Sequence, residues 1–325
     1  MDPLVFEPLL KRIRWGGRRL GDALGKPIGD ADDYAESWEI ADHGDDQSIV
    51  ARGPLAGWTL SRLVRERGQE LLGRHARAGL EQFPLLVKFL DAQDRLSVQV
   101  HPNDIQAKRF DPSENGKTEA WVVLEAAPHS LIYAGLRPDV DADSLRAHLA
   151  AGTVVECLHA FHPQPGDCLF VPAGTVHALG EGIMIAEVQQ SSDITFRMFD
   201  WDRLDREGNA RPLHIEESLA VIDFTRGPVN PVRPEIIADE PGRRTERLAH
   251  SEYFELRRHT LGTTLAISRS NECSILLALS GTADLHWDGE SLPLPRGQSV
   301  LIPAESPDVR IEPRGEVTLL EAFLP

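Results

Sequence analysis

Short apolar runs separated by turn residues recur along most of the chain, and they predict a mainly β protein. The runs end at Gly, Pro, Asn or Asp, as expected for a protein built from many short strands. Strand-like runs resume at Leu85 and continue to about Phe199. A different spacing occurs over residues 59–80, where leucine and valine recur at helical intervals after Thr59, a suitable N-cap. The pattern therefore predicts one small helical segment within a β protein.

The same patterns divide the chain into two units. Residues 1–225 form the first unit, with the helical insertion at about 59–80 and a closing helix at about 213–223. Residues 227–241 are rich in proline and charge and are predicted to be a linker. Residues 242–325 return to short strand-like runs and form the second unit.

An internal repeat links the two units. The segment Gly166–His177 aligns with Gly297–Asp308, with glycine, proline and alanine coinciding and apolar positions matching. The alternative is coincidence, because a glycine turn followed by a strand and a proline is common. On the repeat interpretation, Asp308 replaces His177, so the second unit is expected to hold no metal and to serve as structure.

The candidate chemistry lies in four polar side chains on strand-like runs. Gln99 and His101 are two residues apart in an apolar run, so a strand places them on the same face. Glu119 begins a second such run, and His177 ends a third. One amide oxygen, two imidazoles and one carboxylate make a four-ligand zinc set that leaves room for water or substrate.

Each histidine taken singly is more simply a satisfied core or surface residue. The order Q-x-H, then Glu, then Pro-Ala-Gly-Thr-x-His on successive strands favours a metal site, because cupin barrels gather their ligands in this way. A cupin is a small jelly-roll barrel whose interior holds one ion and one small ligand.

Composition excludes several classes of function. The net charge of −17 argues against nucleic acid, which requires a basic face. No apolar stretch approaches the length of a membrane span, and no signal-peptide core follows Met1. The three cysteines, Cys157, Cys168 and Cys273, are too few and scattered for a disulfide framework. We expect a soluble cytoplasmic protein that is a monomer or weak dimer.

Motifs spread over most of the first unit carry a specific resemblance. They are Trp15-Gly16-Gly17, Glu36 to Ile40, Phe83 to Ala92, Leu96 to Asp104, Gly116 to Glu119, Val171 to Leu179, Glu187 to Asp193, and Arg197 to Trp201 with its extension to Ile222. Together, and in this order, they resemble the type I phosphomannose isomerase (mannose-6-phosphate isomerase) family in its short bacterial form. The resemblance fades after about residue 225.

The resemblance implies a fold, a reaction and a metal. The fold is mainly β, with two cupin-type (double-stranded β-helix or jelly-roll) barrels and a small helical segment. The reaction interconverts mannose 6-phosphate and fructose 6-phosphate through a cis-enediolate. One Zn²⁺ per chain is held by Gln99, His101, Glu119 and His177. Because glutamine is neutral, the site keeps a net positive, electrophilic metal.

Two residues compete for the proton-transfer role. Lys88 interrupts an apolar run, so its ammonium should be partly desolvated, and it is the first choice. It has two alternatives, binding the phosphate and reaching solvent. Glu187 lies on a strand and is the rival base, or a hydrogen-bonding partner in the barrel wall.

Substrate contacts are predicted less directly. Arg197 resembles the family's active-site arginine and suits a phosphate or an enediolate oxygen, with an ion pair to Asp193 or Asp200 as the alternative. Ser97 and Lys117 are candidate phosphate contacts, and Trp15 and Glu39 resemble residues near the pocket mouth. The chain has no match to the C-terminal phosphate-binding lysine of the long eukaryotic form. The resemblance therefore leaves open how the phosphate is held.

Two other functions remain as alternatives. A non-catalytic sugar-phosphate-binding cupin would use the same barrel, but binding alone needs no desolvated base. An iron or manganese cupin that oxidises a small molecule would usually need three histidines and a glutamate, whereas two histidines are placed here.

Overall fold

The structure is a computed structural model that describes residues 1–204, 208–268 and 271–325. Strands dominate it, which confirms the mainly β prediction. The first fifteen strands are β1 (Phe6–Glu7), β2 (Leu9–Gly17), β3 (Tyr34–Ile40), β4 (Asp42–His43), β5 (Asp46–Gln47), β6 (Ile49–Val50), β7 (Leu85–Ala92), β8 (Val98–Val100), β9 (Glu119–Ala126), β10 (Ile132–Leu136), β11 (Leu158–Phe161), β12 (Cys168–Val171), β13 (His177–Leu179), β14 (Ile183–Gln190) and β15 (Phe196–Phe199).

Ten more strands follow in the second half of the chain. They are β16 (Glu235–Glu240), β17 (Arg243–His250), β18 (Glu255–Leu261), β19 (Leu265–Ile267), β20 (Ser274–Ser280), β21 (Thr282–Trp287), β22 (Glu290–Pro295), β23 (Ser299–Ile302), β24 (Val309–Pro313) and β25 (Val317–Phe323). The α-helices are α1 (Arg19–Asp22), α2 (Leu60–Leu72), α3 (Asp104–Phe110), α4 (Ala142–Ala151) and α5 (Ile215–Val221). No helix of the described residues is both long and apolar enough to cross a membrane.

The two halves of the chain have the same sheet topology. In the first half, a six-stranded sheet has the order β12-β9-β14-β7-β3-β2, and a five-stranded sheet has the order β11-β10-β13-β8-β15. In the second half the orders are β23-β20-β25-β18-β17-β16 and β22-β21-β24-β19. Each strand of the second half therefore has a counterpart in the first, as expected for a duplicated cupin-type barrel.

Strand register identifies what replaces the metal ligands in the second barrel. Glu119 pairs with Val171, and Ser274 pairs with the equivalent Ile302. Asp308, the counterpart of His177, accepts a hydrogen bond from the Ser268 hydroxyl at 3.0 Å. In the first barrel His177 pairs with Gln99. In the second, Ile267 pairs with Val309, so the next residue, Ser268, lies opposite Asp308 at the position that corresponds to Gln99. The counterpart of His101 lies outside the described residues.

Alternation along the central strands of the first barrel explains where the polar residues point. Every residue of β7 is buried, and so is every residue of β14. Leu85, Val87 and Phe89 join a hydrophobic cluster outside the barrel, whereas Leu90 and Ala92 join the cluster inside it. The period of two therefore directs Lys88 to the interior.

A hydrophobic cluster joins the two six-stranded sheets back to back. It contains residues from β7, β9 and β14 of the first half, residues from β18, β20 and β25 of the second, and five leucine and valine side chains of α2. A second cluster fills the interior of the second barrel with apolar side chains from both of its sheets. The first barrel keeps polar side chains at the corresponding place.

The helical predictions are confirmed in position and corrected in length. Thr59 caps α2 by accepting a hydrogen bond from the Arg62 amide at 3.2 Å. The helix is kinked at Arg67 and ends at Leu72, where Gly73 turns the backbone with φ of 56°. A 3₁₀ turn over Gly73–His75 follows, so the helical segment stops short of the predicted 80. The closing helix is α5, slightly shorter than the predicted 213–223.

Two other expectations were wrong. The run from Leu85 to Phe199 is interrupted by α3 and α4, each of which starts with a capping box. The predicted linker, 227–241, is a strand over its second half, because β16 pairs with β17 at the edge of the sheet. Its side chains are mostly exposed, so it lacks the apolar alternation by which strands are recognised.

Candidate active site and metal centre

Three strands bring the four predicted metal ligands together inside the first barrel. Gln99 lies in β8 and His101 directly follows it, while Glu119 begins β9 and His177 begins β13. His177 is the antiparallel partner of Gln99, so their side chains share the interior face.

The ligand atoms lie close together. The Nε2 atom of His177 is 3.2 Å from Glu119 Oε1, and Nε2 of His101 is 3.7 Å from Glu119 Oε2. Among the described residues, His101, Glu119 and His177 form a buried group whose ligand atoms all lie within 4.8 Å of one another. Gln99 extends this group, since its Nε2 lies 3.4 Å from His177 Nε2. A half-turn of the amide would present its oxygen at the same place.

Backbone carbonyls fix the orientation of both imidazoles. The Nδ1 atom of His101 lies 2.9 Å from the Ile194 carbonyl, and Nδ1 of His177 lies 2.9 Å from the Thr175 carbonyl. Because a carbonyl only accepts, each Nδ1 donates and each Nε2 carries the free lone pair. Both lone pairs lie on the side of Glu119, as expected for metal-ligating histidines.

The electrostatics of the group fit a bound cation. Burial lowers the pKa of His177 to about 4 and holds the pKa of His101 well below its ordinary value, so both rings are neutral near pH 7. Both carboxylate oxygens of Glu119 are buried without a hydrogen bond from any described residue. The Lys117 ammonium, 3.3 Å from Oε2, balances part of this buried charge, and the lone pairs of both oxygens remain available to a metal ion. Two neutral imidazoles, a carboxylate and an amide therefore form a suitable metal site.

A cavity of about 330 Å³ opens beside this group. It is lined by Gln99 and by every predicted catalytic and substrate-binding residue: Lys88, Ser97, Lys117, Glu187 and Arg197. The sequence predictions therefore converge on one cavity.

Lys88 and Glu187 face each other on one side of the cavity. They are direct partners across the β7–β14 pair, and both are almost fully buried. Lys88 Nζ lies 3.5 Å from Glu36 Oε2 and 4.5 Å from the centre of the Trp38 ring. These contacts hold the ammonium in the cavity and away from bulk solvent.

Glu187 is in an environment suited to proton transfer. Burial is the main cause that raises its pKa to about 7, and the nearby negative charge of Glu119 adds to the effect. The indole Nε1 of Trp121 donates a hydrogen bond to Glu187 Oε1 at 3.1 Å, which fixes the carboxyl group. The same Trp121 ring packs edge-on against His177.

Lys117 lies at the metal end of the cavity. Its Nζ is 3.3 Å from Glu119 Oε2 and 3.3 Å from His101 Nε2. Burial opposes its charge, but Glu119 and Glu187 outweigh burial and raise its pKa. Lys117 is therefore a buried cation beside the ligand group.

Arg197 lies on β15, directly across from Gln99 of β8, and also lines the cavity. Its Nε donates to the Ser97 hydroxyl at 3.3 Å, and Nη1 donates to the Pro212 carbonyl at 3.1 Å. Burial and the neighbouring Arg211 lower its pKa. Among the described residues Arg197 forms no ion pair, so the predicted pairing with Asp193 or Asp200 is absent there.

Three charged residues of the cavity were missed by sequence reasoning. Glu36, Asp193 and Arg211 all line it. Glu36 could have been found from its parity with Trp38 on β3, whereas Arg211 lies in a loop with no periodic signal. Trp15 also lines the cavity, but Glu39 does not. Its carboxylate instead accepts hydrogen bonds from Lys26, Ser37 and Ser299 at the contact between the two halves.

The fold and site define a two-barrel cupin with a candidate metal centre beside a polar cavity. Comparison with known proteins gives the family. Residues 5–126 match the family described as "Phosphomannose isomerase type I, catalytic domain", and residues 244–320 match "Mannose-6-phosphate isomerase, cupin domain". The chain belongs to the type I phosphomannose isomerase family.

Individual relatives match over nearly the whole chain. Mannose-6-phosphate isomerase ManA of Bacillus subtilis is 34% identical over 314 residues, which cover 96% of each chain. Mannose-6-phosphate isomerase of Streptococcus mutans is 34% identical, covering 93% of this chain and 92% of the relative. The crystal structure of the mannose 6-phosphate isomerase from Bacillus subtilis superposes with a TM-score of 0.90 at 29% identity, covering 99% of each chain.

Proposed function

We propose that this protein is a zinc-dependent aldose–ketose isomerase that interconverts mannose 6-phosphate and fructose 6-phosphate. Its membership of the family supports this proposal. The observation that carries it is the cavity, which Gln99 of the buried ligand group lines together with the Lys88–Glu187 pair and Arg197.

Zinc is the metal we propose, one per chain, held by Gln99, His101, Glu119 and His177. Two imidazoles, one carboxylate and one amide oxygen suit a borderline ion in a catalytic site. When bound, zinc supplies Lewis-acid stabilisation for negative charge on a substrate oxygen. The Ile194 and Thr175 carbonyls keep the two imidazoles in the tautomer that offers Nε2 to the ion.

Proton transfer in this account belongs to the Lys88–Glu187 pair. In the isomerisation, one proton moves from C2 to C1, and a second moves from the C2 hydroxyl to the C1 oxygen, through a cis-enediolate. A buried group that faces the substrate can take the first proton and return it without loss to water. Lys88 and Glu187 both meet this condition, and Trp121 and Glu36 fix their positions.

Arg197 and Ser97 are proposed to contact the phosphate. Arg197 Nε donates to the Ser97 hydroxyl at 3.3 Å, both side chains line the cavity, and the Arg197 guanidinium has no ion-pair partner among the described residues. Lys117 is proposed to contact a substrate oxygen at the metal end, because its ammonium lies beside Glu119 and His101.

The domain organisation and setting follow as further parts of the proposal. Residues 1–225 carry the catalytic barrel, and residues 242–325 belong to a metal-free barrel, supported by Ser274, Ser268 and Asp308 at ligand positions. All three cysteines are free and buried, which supports a reducing cytoplasm. We retain a monomer or weak dimer, because each barrel covers a sheet face of the other.

The test is turnover of mannose 6-phosphate, coupled to detection of fructose 6-phosphate. Wild-type protein is expected to turn over, and E119Q is expected to lose activity by at least about 100-fold, because it removes the site's only charged ligand. Binding of mannose 6-phosphate without turnover by folded, zinc-loaded protein would overturn the isomerase in favour of the non-catalytic cupin. Oxygen consumption would favour an oxidising cupin instead.

A further inference from the structure

A group of three arginines lies on β15 and in the residues that follow it, beside the cavity. Arg197 and Arg211 line the cavity, and Arg203 is bound to the same carboxylate as Arg211. That carboxylate is Asp200, and Arg203 also pairs with Asp94 at 2.9 Å. Arg203 and Arg211 are thus in ion pairs, whereas Arg197 forms none with any described residue.

Hydrogen bonds hold Arg211 next to Arg197. Nη1 of Arg197 donates to the carbonyl of Pro212, which directly follows Arg211. The backbone of Arg197 also pairs with His214: the His214 amide donates to the Arg197 carbonyl at 2.7 Å, and the Arg197 amide donates to His214 Nδ1 at 3.2 Å. The loop that carries Arg211 is thus fastened along the strand that carries Arg197.

Asp200 sets the direction of the Arg211 guanidinium. Arg211 Nε donates to Asp200 Oδ2 at 2.8 Å, and Nη2 donates to Oδ1 at 2.5 Å. This bidentate contact uses one edge of the planar fork. Nη1 remains without a hydrogen bond among the described residues, on a side chain that lines the cavity. Asp200 is itself buried and held by Arg203, so it forms a rigid support.

We propose that Arg211 is a phosphate-binding residue of the active site, acting with Arg197 and positioned by Asp200. This inference rests on the proposed function, because it assigns the phosphate end of the same cavity. Two forked donors from different elements enclose a phosphate better than a single arginine, and the guanidinium of Arg197, which has no ion pair among the described residues, favours an anion. Burial and the neighbouring arginines lower the pKa of Arg197, consistent with cations placed together for an anion.

The test is calorimetric binding of mannitol 6-phosphate, which carries the phosphate but has no carbonyl to isomerise. Zinc-loaded wild-type, R211Q, R211K and R95Q proteins are compared. Arg95 is the matched control, because it is an exposed arginine stacked on Trp201 outside the cavity lining. R211Q is expected to raise the Kd about 10- to 100-fold, R211K less, and R95Q less than about twofold.

Steady-state kinetics separate this inference from the isomerase proposal. R211Q is expected to raise KM for mannose 6-phosphate with kcat changed by less than about threefold, because the phosphate is remote from the reacting carbons. An unchanged Kd in both Arg211 variants, or a loss confined to kcat, would overturn the role of Arg211. Absence of turnover in the wild type would instead overturn the proposed function and leave the binding comparison valid.

Discussion

At the residue scale, the active site consists of polar residues on the inward face of buried strands whose other residues are mostly apolar. Along β9, Glu119 and Trp121 point inward while Ala120 and Val122 join the outer cluster. A polar residue inside a barrel must find a partner, because an unpaired buried charge is unfavourable. The site residues pair with one another, with backbone carbonyls and with the proposed ion.

The Lys88–Glu187 pair gives a prediction about catalysis. The variant that removes the proton-transfer group, K88M or E187Q, is expected to lower kcat by about 100- to 10,000-fold while zinc content stays at the wild-type level. The other variant should lower kcat less. Exchange of the substrate proton with deuterated solvent identifies the base, since its variant loses exchange together with turnover.

K108M is the matched control for this pair, because Lys108 is exposed on α3 and outside the cavity. Its activity should equal that of the wild type. If both K88M and E187Q keep kcat within about tenfold of the wild type, the proton is carried by neither residue.

Some of these residues could be predicted from the sequence and others could not. Gln99, His101 and Glu119 lie on or beside strands, where a period of two gives their direction from neighbouring residues. Arg211 lies outside the strands and helices, and the direction of its side chain depends on Asp200, a residue eleven positions earlier. No local pattern encodes that contact.

At the element scale, two glycines of one helical segment have opposite roles. Gly68 lies inside α2 with open space around its Cα. Gly73 ends the segment in a left-handed conformation, with φ of 56°, and an added Cβ would lie 2.3 Å from the Asn271 carbonyl oxygen. The stop of α2 is therefore fixed by contact with the second half of the chain.

This contrast predicts stability changes of opposite sign. G68A is expected to leave the free energy of unfolding unchanged or to raise it by up to about 1 kcal/mol, because Gly68, which follows a kink at Arg67, has open space for a Cβ and alanine restricts the unfolded chain. G73A is expected to lower it by more than about 1 kcal/mol, because alanine must adopt a strained conformation and clash. Urea unfolding of both variants measures the difference. Equal midpoints would contradict this account of the helix end.

Element boundaries were predictable where a local signal existed. Thr59 marks the start of α2, and capping boxes at Asn103 and Asp141 mark the starts of α3 and α4. These two helices lie within the region that the strand-like runs predict to be β. Strand β16 carries no comparable signal. Its pairing with β17 is a tertiary contact of an exposed edge, where sequence restrains little.

At the scale of the whole molecule, the two barrels share one topology but differ in what occupies their interiors. The interior of the second barrel is filled by apolar side chains, and the first keeps a polar cavity. Between them, the buried carboxylate of Glu39 binds Lys26 of the first half and Ser299 of the second. The internal repeat was visible in the sequence, because its turn and strand residues are retained in both copies.

The central claim is that zinc bound by Gln99, His101, Glu119 and His177 is required for isomerisation. The most direct test measures metal content and mannose 6-phosphate turnover together, on as-purified, chelator-stripped and zinc-restored protein. We predict one zinc per chain, turnover lost on stripping, and turnover regained in proportion to zinc restored. Full turnover in metal-free protein, or none in folded protein carrying one zinc per chain, would contradict the claim.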